Sequence, residues 1–151
     1  MAVTVEIRKA VRGLDASRLE RFAGSAQRAV GLRGEVAVVL TSSSEMKRMN
    51  GWFRGKNKPT DVLSFVAEDI RGYAGDISIS ADIAKQNADR LGHPLEDEIK
   101  VLVLHGMLHL AGYDHENDKG EMARKEQQLR IKLGLPATLT ERARVKAARA
   151  K

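Results

Sequence analysis

The stretch His105-Gly106-Met107-Leu108-His109-Leu110-Ala111-Gly112-Tyr113-Asp114-His115 decides how this chain folds and where its chemistry sits. It holds three of the four histidines in a protein of 151 residues. Val101-Leu102-Val103-Leu104 lead into it as an unbroken apolar run, which fits a buried helix. At about 100° per residue, His105 and His109 leave that helix from nearly the same face, one turn apart. Gly112 supplies the left-handed residue that ends a helix. A turn there can bring the chain back and aim His115 at the point the first two rings face.

Buried neutral imidazoles need hydrogen-bond partners or a ligand. Three of them around zinc leave a fourth tetrahedral position for water, the arrangement of a catalytic site. Ordinary core or surface histidines are the alternative. Three at this spacing, with a glycine between the second and third, favour the metal. The frame H-x-x-x-H-x-x-G-x-x-H matches the ligand spacing of the metzincin peptidases. It departs at one point. The general-base glutamate of that frame follows the first histidine, where this chain has Gly106.

Composition sets the outer bounds. A chain of this length holds one domain with a real core, and 42% hydrophobic residues argue against bulk disorder. The formal charge of +6 suits an anionic partner such as nucleic acid, or serves solubility alone. With no cysteine, there is neither a disulfide nor a thiolate ligand, so a metal must sit on His, Asp or Glu. No apolar run reaches the ~18 residues of a membrane span. Met1-Ala2-Val3-Thr4-Val5-Glu6 alternates like a strand and lacks a signal-peptide core, so a cytoplasmic location is expected.

Hydrophobic periodicity predicts strands over 2–8, 35–40, 61–66 and 75–80, and helices over 15–30, 81–91 and 118–133. Asp15 is the expected N-cap of the first helix, with Leu19, Phe22, Ala23, Ala26 and Val30 inward. Ser42, Ser43 and Ser44 are candidate caps for a short helix through Met46, Met49 and Trp52. Pro94 suits the first turn of the histidine helix, and Glu96, Asp97 and Glu98 suit its positive end. In the last helix Met122, Leu129 and Leu133 face inward, and Gly134 and Pro136 stop it. Residues 136–151 read as a basic tail, either a frayed helix or disordered. The mixture predicts one α+β domain without internal repeat or linker.

A second constellation is the basic loop Arg54-Gly55-Lys56-Asn57-Lys58-Pro59-Thr60-Asp61. It lacks the Gly-Lys-Ser/Thr element of a phosphate loop, so no nucleotide cofactor is expected. Beside a metal, Arg54 could hold a phosphodiester in a bidentate fork, and Lys56 and Lys58 could attract flanking phosphates. Thr60 and Asp61 read as turn residues, although Asp61 could orient Arg54. Asp114 could accept a ligand's ring N–H or cap a turn. Asp76 could make a turn hydrogen bond or accept a proton. Both are supporting candidates only. His93, before Pro94, reads as a surface residue.

Three blocks together resemble the YbeY family of bacterial endoribonucleases, the rRNA maturation factors. They are Phe53 to Phe65, Gly75-Asp76-Ile77-Ser78-Ile79-Ser80, and His105 to His115, in the family order. The similarity spans roughly residues 3 to 135 and leaves out the basic tail. The resemblance implies a single α+β domain over residues 1–135, with a mixed sheet of about four strands and a zincin-like metal helix. It implies one Zn²⁺ on His105, His109 and His115, with Arg54 lining the same cleft for RNA cleavage. It also implies hydrolysis of single-stranded RNA in rRNA processing, including the 3′ end of small-subunit rRNA, and in ribosome quality control. The ribosome or small-subunit ribosomal proteins are then the expected partners.

The chemical reading agrees on reaction type. Three neutral ligands leave zinc its full charge, which brings bound water to a pKa of about 7. The RNA 2′-hydroxyl is the other candidate nucleophile. Nickel, copper or iron also suit imidazole ligands. Two rivals remain: a zinc peptidase with its base elsewhere, and a non-catalytic ribosome-assembly factor whose metal has four protein ligands.

Overall fold

The computed structural model describes residues 3–54, 60–67, 71–114 and 118–136; the side chains of residues 50 and 52–54 lie outside that description. The elements follow in the order β1 (Val3–Ile7), α1 (Ala16–Val30), β2 (Glu35–Thr41), α2 (Ser43–Arg54), β3 (Val62–Val66), β4 (Tyr73–Ser80), α3 (Ala81–Leu91), α4 (Leu95–Leu110) and α5 (Glu121–Leu133). The strands form one mixed sheet in the order β1-β2-β4-β3. β1, β2 and β4 are parallel neighbours, with Val5 beside Val38 and Val38 beside Ile77. Parallel pairing needs a crossover, which α1 provides between β1 and β2. β3 closes the sheet antiparallel to β4, with Ser64 opposite Ile77. The α+β class and the mixed sheet of four strands agree with the expectation from sequence.

Helix α4 is the centre of the molecule. Every residue from Val101 to Leu108 is buried. A helix apolar all round must be covered on all sides, and α4 contacts β3, β4, α1, α3 and α5. Each fully buried Leu, Val or Ile contributes about 1.5–3 kcal/mol of transfer free energy, so this helix anchors the fold. Gly106 lets α4 approach the sheet. A Cβ there would lie 2.8 Å from Ile77 Cγ2 and 2.9 Å from its Cδ1.

Local chemistry sets the helix ends. The Asp15 carboxylate accepts from Arg18 N at 3.0 Å, and Ser80 Oγ accepts from Ile83 N at 3.1 Å. Ser42 Oγ accepts from Glu45 N at 3.2 Å. At the last helix the structure departs from the periodicity. The Asp118 carboxylate accepts from Gly120 N and Met122 N, so 118–120 form a bend and α5 begins at Glu121. Among the described residues, no helix is long and apolar enough to cross a membrane. Residues 137–151, most of the expected basic tail, lie outside the described residues.

Candidate active site

The last two turns of α4 carry His105 and His109. Their Nε2 atoms face each other at 3.1 Å, with ring centroids 4.7 Å apart and planes at 75°. At ordinary Zn–N distances of 2.0–2.1 Å, two ligands of one tetrahedral ion stand about 3.3 Å apart. The two nitrogens therefore fit a shared ion with little adjustment. The helix ends as its sequence dictates. Gly112, at φ +101°, takes the left-handed turn, and Tyr113 N donates back to Leu108 O at 3.0 Å. That return keeps Tyr113 and Asp114 on the wall of the same cleft. His115, the third ring of the expected set, lies outside the described residues.

The cleft has a volume of about 470 Å³. Its opposite wall is β3, through Val62, Ser64 and Val66, preceded by Thr60 and Asp61. These alternate residues share the sheet face that meets α4. Ser64 Oγ donates to Gly106 O at 3.4 Å, tying the strand to the helix beside the histidines. Thr60 and Asp61, read from sequence as turn residues, thus line the cleft, and Asp61 O also accepts from Ser80 N at 2.9 Å.

The remaining candidates divide. Arg54 is the last residue of α2 and not part of a loop, because the helix runs on through Gly51; its side chain is outside the described set. Lys56 and Lys58 also fall outside the described residues. Asp114 lines the cleft. Asp76 does not. Ile77 packs against Gly106 of α4, so its neighbour Asp76 points from the other face of the sheet. There it accepts from the Tyr73 hydroxyl. Burial, helped by that carboxylate, pushes the Tyr73 hydroxyl up to about 12. A supporting role for Asp76 at the histidines is therefore corrected to a structural bond within β4.

Gly106 also bears on the peptidase frame. The position that would carry the base faces Ile77 and has no room for a side chain. Two glutamates are buried: Glu126, which sequence reasoning missed, and Glu98, read from sequence as a first-turn charge suited to the helix dipole. Glu126 of α5 is 2% exposed, and its Oε1 lies 3.4 Å from His105 Nδ1. Glu98 of α4 is fully buried and lies 2.8 Å from His93 Nε2. His93 is accordingly half-buried and paired, not a surface residue. A signal for Glu126 was present: it falls one turn after Met122 and three residues before Leu129, on the inward stripe of α5.

Fold and cleft together define a class: a single α+β domain whose central helix turns two converging imidazoles into a groove walled by an edge strand. Comparison with known proteins narrows it. Residues 5–134 match the sequence model of Endoribonuclease YbeY. A relative of that name from Koribacter versatilis is 52% identical over 136 residues, covering 90% of this chain and 89% of its own. Another, from Aquifex aeolicus, is 43% identical over 131 residues, covering 84% and 85%. The solution structure of a Thermotoga maritima protein superposes with a TM-score of 0.54 at 32% identity, covering 83% of this chain and 85% of that one. The chain belongs to the endoribonuclease YbeY family, and so to the nucleases.

Proposed function

We propose that this chain is a metal-dependent endoribonuclease that hydrolyses single-stranded RNA in rRNA processing. The reading includes maturation of the 3′ end of small-subunit rRNA and ribosome quality control in the cytoplasm, with the ribosome as partner. The observation that carries it is the convergence of His105 and His109 Nε2 at 3.1 Å on the wall of an open cleft. His105, His109 and His115 would hold one Zn²⁺, whose chemistry when bound is Lewis acidity and activation of water at neutral pH.

The chain's own groups do the rest. Arg54 holds the scissile phosphodiester through its planar fork and stabilises charge developing on phosphorus. Lys56 and Lys58 attract the flanking phosphates and make binding salt-dependent. Asp114 stands beside the histidines as a supporting carboxylate. The attacking oxygen is water or the RNA 2′-hydroxyl; a cyclic phosphate product marks the second route.

Metal analysis joined to an RNA cleavage assay tests the reading. Wild type retains about one zinc per chain and cleaves single-stranded RNA; His109→Ala loses both. Arg54→Ala keeps the metal and loses cleavage by about 10²-fold or more. Full cleavage by His109→Ala contradicts metal dependence. Full cleavage by Arg54→Ala removes Arg54 from the chemistry.

A further inference from the structure

The buried carboxylate behind His105 has a role that the cleft residues do not cover. Glu126 comes from α5, a different element from the histidines, and is 2% exposed. Glutamate is almost never so deeply buried without a partner. Its Oε1 is buried and has no hydrogen bond among the described residues. Among those residues, the basic group within ion-pair range is His105 Nδ1, at 3.4 Å, an ion-pair contact and not an aligned hydrogen bond. Arg130, one turn further along α5, is committed elsewhere, donating to Leu135 O at 3.2 Å.

The second contact of His105 fixes the rest. With no ion between them, two Nε2 atoms at 3.1 Å need one donor and one acceptor. A proton on His105 Nδ1, facing the carboxylate, leaves His105 Nε2 as the acceptor. One assignment then satisfies both contacts, with His109 Nε2–H as the donor. The opposite tautomer would leave the lone pair of Nδ1 beside a buried carboxylate oxygen, setting acceptor against acceptor.

We infer that Glu126 is a positioning residue that holds His105 in its Nδ1–H tautomer, so that the Nε2 lone pair is presented to the cleft before any ion arrives. The inference rests on the metal reading above for its purpose, and on the Glu126–His105 geometry for its substance.

Full-length wild type, Glu126→Gln and Glu126→Leu are compared at a temperature where circular dichroism shows each folded. The imidazole ¹⁵N spectrum of the metal-free protein reads the tautomer, and chelator competition reads zinc affinity. Wild-type His105 is expected in the Nδ1–H form. Glu126→Leu loses that form, and its zinc affinity falls by about 10–100-fold, with Glu126→Gln between it and wild type. The inference is overturned by a wild-type Nε2–H form, or by affinities in the folded variants within about twofold of wild type, below any outer-shell effect. If Glu126→Leu does not fold, the wild-type tautomer and Glu126→Gln decide. Failure of the metal reading looks different: wild type then holds no more zinc than His109→Ala, and the wild-type tautomer alone decides the inference.

Discussion

Helix α4 contributes one member to each of two carboxylate–histidine pairs that use the same groups in opposite ways. Near its start, Glu98 meets His93 Nε2 at 2.8 Å. Near its end, His105 turns Nδ1 toward Glu126 at 3.4 Å and keeps Nε2 for His109. The first pair joins residues five apart around Pro94 and clasps the α3–α4 turn. The second joins α4 to α5 and borders the cleft. A buried carboxylate beside a histidine is therefore no mark of function by itself. What the other ring nitrogen faces decides.

Separating the two pairs is the strongest way to break this comparison. His93→Ala removes the 2.8 Å contact of its ring with the buried Glu98 carboxylate, which costs about 3 kcal/mol in urea or thermal unfolding. Zinc content and cleavage of the folded fraction stay at wild-type values. Loss of metal from folded His93→Ala would place the first pair in the site and erase the distinction.

A middle-sized effect is expected at Gly106, which sets how closely the histidine helix approaches the sheet. Gly106→Ala pushes a methyl into Ile77, where the Cβ would sit at 2.8 Å. Overpacking of this kind costs about 1–3 kcal/mol. Ile77→Val in the same chain should recover part of that loss in denaturant unfolding. No recovery would mean that Ile77 is not what Gly106 accommodates.

The smallest effect lies away from both pairs. The Asp82 carboxylate accepts from Ser43 N at 2.8 Å and pairs with Lys9 Nζ at 3.2 Å. The backbone bond from Ser43 first, then Lys9, hold its carboxyl below the usual range against the opposing effect of burial. The unfolded chain therefore binds more protons through that window, and stability rises with pH. The stabilisation is present above about pH 4 and fades as pH falls through the depressed folded value. Asp82→Asn should cost about 1 kcal/mol at pH 7 and converge with wild type near pH 2. A constant difference at all pH values would show that ionisation of Asp82 is not the cause.

The same contrast explains what the sequence made legible. His105, His109 and Gly112 were readable because helical spacing and a left-handed turn are local properties of the chain. The strands were readable from alternation, as in Val36, Val38 and Leu40, all buried on one face of β2. The burial of Glu98 was not, and that of Glu126 was signalled only by its place on the inward stripe of α5, because stripe reading counts apolar residues and assigns a glutamate to water. Only contacts between α5 and α4, or across the Pro94 turn, reveal their partners. Asp76, read from sequence as a turn hydrogen bond or a proton acceptor, stayed open for a related reason: the face it takes depends on strand register against β2 and β3. Glu98 also looked like a first-turn charge suited to the helix dipole, yet its side chain turns inward to His93.

The most direct test is X-ray absorption at the zinc edge on the full-length protein loaded with one equivalent of zinc. Three imidazoles and one oxygen donor are expected, with the imidazole signature reduced in His109→Ala. A spectrum unchanged by His109→Ala, or four protein ligands with no solvent oxygen, would contradict an ion held by that helix with one position left open for chemistry.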